Sequence, residues 1–183
     1  MTVSERKIPE PPWSFPVAAA DIPETGRHID IAADDRARAA IAEAADLTAL
    51  PRLEAGFDLM RHGADGLRVV GQVQAAVVQN CVVTLEPIES AIDEAIDLLF
   101  LPEAPTAPDV VDVDDVEADD PPETLQNGMV DLGAVATEFL LLGIDPYPRK
   151  PGAVFDAPPA GDQASSPFAA LAALKKGDNP KEG

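Results

Sequence analysis

The stretch Leu53-Glu54-Ala55-Gly56-Phe57-Asp58-Leu59-Met60-Arg61-His62-Gly63-Ala64-Asp65-Gly66-Leu67-Arg68-Val69 decides the fold. Leu53, Ala55, Phe57 and Leu59 alternate with Arg52, Glu54, Asp58 and Met60, and beyond the glycines Leu67, Val69, Val73, Ala75 and Val77 resume the period of two. Strand side chains point alternately to opposite faces, so the pattern describes a β-hairpin with one buried and one wet face. Gly63 and Gly66 supply the positive φ that a tight turn between its arms demands.

Upstream of the hairpin, Arg27 to Ile31 alternates modestly and reads as a short strand. Asp34-Asp35 then opens an alanine-rich helix over Arg36–Ala45, with Ile41 and Leu47 as its larger apolar contacts. Residues 1–25, rich in proline and carrying Trp13 and Phe15, read as a lead-in that packs loosely or pairs at an edge. Downstream, Ile88 to Leu101 has mixed periodicity. Ile88, Ile92 and Ile96 suit a helix, whereas Ile96, Leu98 and Phe100 suit a strand. We favour the strand, because a third strand gives the hairpin a lasting sheet.

Residues 103–127 read as a long acidic loop, since Glu103–Glu123 holds nine carboxylates and no base. Such a segment buries too little apolar surface to offset its ordering entropy. Asp131 is placed to cap a helix with Leu132, Val135, Phe139 and Leu142 on its apolar side and Gly143 as its stop. Prolines 146, 148 and 151 remove donors and fix φ, so Ile144–Pro151 is predicted to be a stiff extended strap. Residues 152–183 read as a flexible tether followed by a short helix from Ser166-Pro167, with Phe168, Leu171 and Leu174 on one side and Lys175-Lys176 in its last turn. The predicted class is α+β: one domain over residues 26–151, built on a small, mostly antiparallel sheet that could close like a barrel, with flanking helices and flexible termini.

The chain has 183 residues, 13 Lys plus Arg against 33 Asp plus Glu, and a formal charge of -20. That field repels nucleic acid and anionic membrane at long range and favours a basic partner. It is uneven, because Val69–Pro148 contains 17 acidic residues and neither Lys nor Arg. No stretch approaches the ~20 apolar residues that span a bilayer, and the sequence starts with no apolar core of signal-peptide length. A cytoplasmic protein without a membrane partner is the expectation.

Catalytic chemistry finds little support. His28 and His62, the only histidines, stand in no metal-ligand spacing and read as surface residues, and the glycines form no phosphate-binding loop. Cys81 is the only cysteine, which excludes a disulfide within the chain and a site of several thiolates. Its sequence neighbours Gln79-Asn80 and Val82-Val83-Thr84-Leu85 bring no cation to activate the thiol, and strand parity turns it inward. It reads as a small buried apolar residue. We therefore expect no enzymatic activity, no metal, no cofactor and no small-molecule substrate. Basic residues suited to RNA or partner contact occur in two short blocks, Arg149-Lys150 beside Tyr147, and Lys175-Lys176.

Three blocks in order carry a family resemblance. Gly71-Gln72-Val73-Gln74-Ala75-Ala76-Val77-Val78-Gln79-Asn80-Cys81-Val82-Val83-Thr84-Leu85-Glu86-Pro87-Ile88 resembles the central signature of the YceD-like proteins, the large ribosomal RNA subunit accumulation family. Asp145-Pro146-Tyr147-Pro148-Arg149-Lys150-Pro151-Gly152-Ala153 is similar to the second block of its alphaproteobacterial branch, and Pro167–Lys176 to its closing block. The resemblance implies a role in synthesis, processing or stability of the large-subunit ribosomal RNA and brings no enzymatic activity with it. Bacterial members are often encoded beside a small basic ribosomal protein. Many carry paired cysteines in the central motif, which suggests metal. Here Thr84 stands where the second cysteine would fall, which favours a purely structural turn.

The sequence thus points to a ribosome-assembly factor that contacts a basic large-subunit ribosomal protein or a pre-ribosomal particle, with ribosomal RNA bound only indirectly. The candidate contact residues are Gln79, Cys81, Thr84, Asp145, Tyr147, Arg149, Lys150, Phe168, Lys175 and Lys176. The alternative is direct RNA binding through the four bases of the two C-terminal blocks.

Overall fold

The computed structural model describes residues 11–63, 65–102 and 122–155. The chain divides into a compact unit ending at Lys150 and a second beginning at Pro151. Of the second, the described part Pro151–Phe155 holds a turn at Pro151-Gly152.

Strand β1 (Pro16–Ala18) runs into a short 3-10 turn, and β2 (Arg27–Ala32) leads to helix α1 (Asp35–Ala44). The hairpin follows as β3 (Ala49–His62) and β4 (Gly66–Asn80), then β5 (Pro87–Pro102), β6 (Glu123–Leu125), β7 (Met129–Asp131) and helix α2 (Leu132–Gly143). The main sheet has the order β2-β3-β4-β5-β6, antiparallel except for the β5–β6 pair, and β1 pairs with β7 in a separate ribbon. The α+β expectation holds. The barrel does not form: among the described residues the sheet is open, ending at β2 on one side and β6 on the other.

The alternation of the hairpin does what its period requires. Leu53, Phe57, Leu59, Leu67, Val69, Val73, Ala75 and Val77 are all nearly or fully buried on one face, where Ile92, Ile96 and Phe100 of β5 extend the same layer. Each fully buried large aliphatic or aromatic side chain contributes about 1.5–3 kcal/mol over its exposed state. Both helices add to this core. Asp34 caps α1, its carboxylate accepting from the Ala37 N–H at 2.7 Å, and Ala37, Ile41 and Ala42 face inward against β3. The alternating arms of β5 confirm the strand reading of 88–101, because Ile92 and Ile96 lie opposite Ala75 and Gly71 of β4.

Three expectations are corrected. Of the two alternatives for the lead-in, pairing at an edge holds for its described part and loose packing does not: Trp13, Val17 and Ile22 belong to the core, and β1 pairs with β7, while residues 1–10 lie outside the described residues. What fixes it is Asp131, whose carboxylate caps α2 at the Gly133 and Ala134 N–H groups (3.0 and 3.1 Å) and also accepts from the Phe15 N–H (2.7 Å) and the Ser14 hydroxyl (2.6 Å). A polar contact 116 residues away cannot be seen in local periodicity. The end of the acidic loop reading is also displaced, since Glu123–Leu125 lies beside Phe100–Pro102 as β6; residues 103–121 of that reading lie outside the described residues. Finally, α2 buries Leu132, Val135, Ala136 and Leu140, whereas Leu142 is 74% exposed. The small residues Gly133, Ala136 and Thr137 let α2 approach the core on a face shifted from the one its large side chains mark.

Candidate functional site

β4 and β5 are joined by Cys81–Glu86, and this turn is where most of the sequence-predicted site residues meet. The Cys81 N–H donates to the Glu86 carbonyl (2.8 Å) and the Leu85 N–H to the Cys81 carbonyl (2.9 Å), which closes the turn. Leu85 takes φ 61°, a left-handed conformation unfavourable for a branched side chain, while its side chain remains exposed.

The strap that follows α2 lies across this turn. The Val82 N–H donates to the Pro148 carbonyl at 2.9 Å, and the Gln79 amide to the Asp145 carbonyl at 2.9 Å. Asp145 then folds its carboxylate back onto the Tyr147 N–H at 2.8 Å, a local turn of the kind aspartate favours. At the far end the Lys150 ammonium reaches the Glu86 carboxylate at 2.8 Å. The hydrogen bond and charge of Lys150 hold the Glu86 carboxyl below its ordinary range, and Glu86 raises Lys150 in return.

At the centre sits Cys81, fully buried. Its sulfur accepts the backbone N–H groups of Val83, Thr84 and Lys150, each at 3.4 Å. Donors aimed at one sulfur favour the thiolate. The Lys150 N–H is the largest influence, followed by the Thr84 hydroxyl and the Thr84 N–H, and together they bring the thiol down to about 6 from an ordinary 9.0, against a smaller opposing effect of desolvation. The reading of Cys81 as buried therefore stands, but the expectation that nothing activates it is corrected. Its activating donors are backbone N–H groups, one of them 69 residues further along the chain, together with the Thr84 hydroxyl.

The donor set does not suit a metal. Cys81 is the only cysteine, Thr84 fills the second cysteine position, and peptide N–H groups surround the sulfur. Among the described residues no three His, Cys, Asp or Glu side chains converge on a common point. The arrangement is a turn tied to a strap by several hydrogen bonds and one ion pair, with the Cys81 sulfur at its centre.

Gln79, Cys81, Thr84, Asp145, Tyr147 and Lys150 are thus brought together; Arg149 stands exposed on the strap. Phe168, Lys175 and Lys176 lie outside the described residues. Of this assembly, the sequence reading missed Glu86 and the backbone carbonyl of Pro148. A separate group was missed on the solvent face of β2 and β3, where the His28 ring lies between Asp58 (2.8 Å) and Asp30 (3.2 Å) and its pKa is raised, chiefly by the Asp58 hydrogen bond. Cross-strand alternation placed these three on one face. They border an open hollow of about 650 Å³ that contains no residue of the Cys81 turn or the strap, and since the imidazole is already engaged by both carboxylates we give it no catalytic role.

A protein-family model described as the large ribosomal RNA subunit accumulation protein YceD matches residues 69–175. The chain belongs to this family. The match runs from β4 through the Cys81 turn and the strap, so the elements that build the site fall within the YceD family region, while β1, β2, α1 and β3 precede it. No curated protein and no solved structure matches the chain. Among the described residues no helix is long and apolar enough to cross a membrane.

Proposed function

We propose that this YceD family member is a non-enzymatic, cytoplasmic assembly factor. It supports accumulation of the large-subunit ribosomal RNA by binding a basic large-subunit ribosomal protein, alone or within a pre-ribosomal particle. The observation that carries the reading is the strap. Its backbone is bonded to the Cys81 turn on one side, and it presents Tyr147, 72% exposed, beside Arg149. An aromatic side chain on a preorganised backbone is suited to anchoring a protein partner, because little freedom remains to be lost on binding. The charge of -20 supplies the long-range attraction to a basic surface. Lys150 gives its ammonium to Glu86, which leaves the direct-RNA alternative with one fewer unpaired base.

Affinity capture with the full chain from cell extract, at low and at moderate salt, tests the proposal. Large-subunit ribosomal proteins or precursor particles are expected at low salt and in reduced yield at moderate salt, because exposed charges are screened beyond about 10 Å. Tyr147→Ala should weaken recovery about tenfold, as loss of one aromatic anchor does. Recovery of no ribosomal component at either salt contradicts the proposal.

A further inference from the structure

β5 is 16 residues long. β4 pairs along one side of it from Pro87 to Phe100, whereas β6 covers the other side only at Phe100–Pro102. Among the described residues, the backbone N–H and C=O groups of Pro87–Leu99 make no hydrogen bond except to β4. In an antiparallel ladder every second residue points both groups away from its partner, so among the described residues this edge presents a row of unpaired donors and acceptors. Such edges recruit further strands unless something blocks them.

Among the described residues the usual steric blocks are missing. Ile88–Leu101 contains no proline, the register with β4 is unbroken, and the small Ala91 and Ala95 leave the backbone accessible. What protects the edge is charge of one sign: Glu89, Asp93, Glu94 and Asp97, with no Lys or Arg on the strand. Asp97 is paired with Arg68 and Asp93 accepts from Gln72, both on the β4 side; Glu89 is exposed. A second copy of this chain would set carboxylates against carboxylates, which is unfavourable across a strand pair. A strand bearing lysine or arginine meets the opposite situation.

We propose that the open edge of β5 accepts an extended, lysine- or arginine-bearing segment of the basic partner as an added strand. This rests on the preceding reading that the partner is basic, and it names where and in what conformation that partner binds. Main-chain bonds would supply affinity and the carboxylates selectivity.

The test uses the full chain and three synthetic ten-residue probes: an alternating Lys-Val peptide, its N-methylated form that keeps the charge but lacks donors, and an alternating Glu-Val peptide. Residue-resolved amide exchange is read by NMR. With the Lys-Val peptide, alternate amides within Glu89–Leu99 are expected to slow at least tenfold, and with the other two they should not. Combined Glu89→Lys and Asp93→Lys substitution, both on exposed side chains, should weaken the effect at least tenfold. The proposal is overturned if the N-methylated peptide protects equally, if protection falls on the strap or the His28 hollow instead of β5, or if the outward amides already exchange slowly without peptide. Captured ribosomal protein undiminished by the double substitution would sink this proposal and leave the assembly function standing. Failure of the unsubstituted chain to capture any would sink that function and leave the peptide result intact.

Discussion

Gly71→Ala is expected to lower the stability of the protein by about 3 kcal/mol or more, the upper part of the range for forcing extra atoms into a packed site. For a chain of this length that corresponds to a fall in Tm of roughly 10 °C. Gly71 lies in the middle of the sheet, opposite Phe57 on β3 and Ile96 on β5, both essentially fully buried. A Cβ at this position would penetrate the Gly56 carbonyl oxygen and come within 2.9 Å of the Phe57 ring. The oxygen belongs to the backbone of the neighbouring strand and cannot turn aside, so relief requires separating β3 from β4 or displacing the ring from the core. Ala76→Val, on the solvent face of the same strand, serves as the control and should change stability by no more than about 0.5 kcal/mol. Thermal unfolding followed by circular dichroism measures both, and an unchanged midpoint for Gly71→Ala would show that the close approach of β3 and β4 is not as described.

The second large effect is at Cys81. In the native protein the thiolate should titrate near pH 6, and after unfolding near 9.0. With only one cysteine in the sequence, ultraviolet absorbance of the thiolate reports on this residue alone. A group whose folded pKa lies below its unfolded value stabilises the fold fully above the unfolded value, and that contribution is lost as pH falls through the folded one. Stability derived from Cys81 should therefore decline between about pH 9 and pH 6. Cys81→Ser should flatten that dependence. The main donor is the Lys150 N–H, so Lys150→Pro, which deletes it, should move the titration clearly toward 9.0, whereas Lys150→Ala, which keeps it, should move it much less. A native midpoint near 9.0 would mean that the strap does not rest on the sulfur.

These two sites mark how far the sequence could be read. The hairpin and the capped starts of both helices follow from local rules: a period of two, a period near four, and an aspartate placed before an apolar run; β5, whose own periodicity is mixed, follows only from the hairpin's need for a third strand. Gly71 breaks the alternation of Val69 and Val73, and its necessity becomes visible only when Phe57 is laid over it from the neighbouring strand. The strap was legible as stiff because prolines 146, 148 and 151 fix its backbone, but nothing local says that its carbonyls and N–H groups dock on Gln79, Val82 and Cys81. The same limitation explains Trp13 and Val17. They entered the core through β1 and Asp131, and their own neighbourhood is too rich in proline to reveal it. In α2, small residues determined the buried face, and hydrophobicity alone favoured Leu142. The family resemblance located the turn and the strap as separate blocks, and the hydrogen bonds between them make the two one structure.

The central claim, that this chain supports accumulation of the large-subunit ribosomal RNA, is tested most directly by depleting it from the cell that makes it. The measurement is the ratio of large- to small-subunit ribosomal RNA at constant growth rate. A fall in that ratio, restored by the unaltered chain and only partly by Tyr147→Ala, is the predicted result; a ratio unchanged on full depletion would contradict the account.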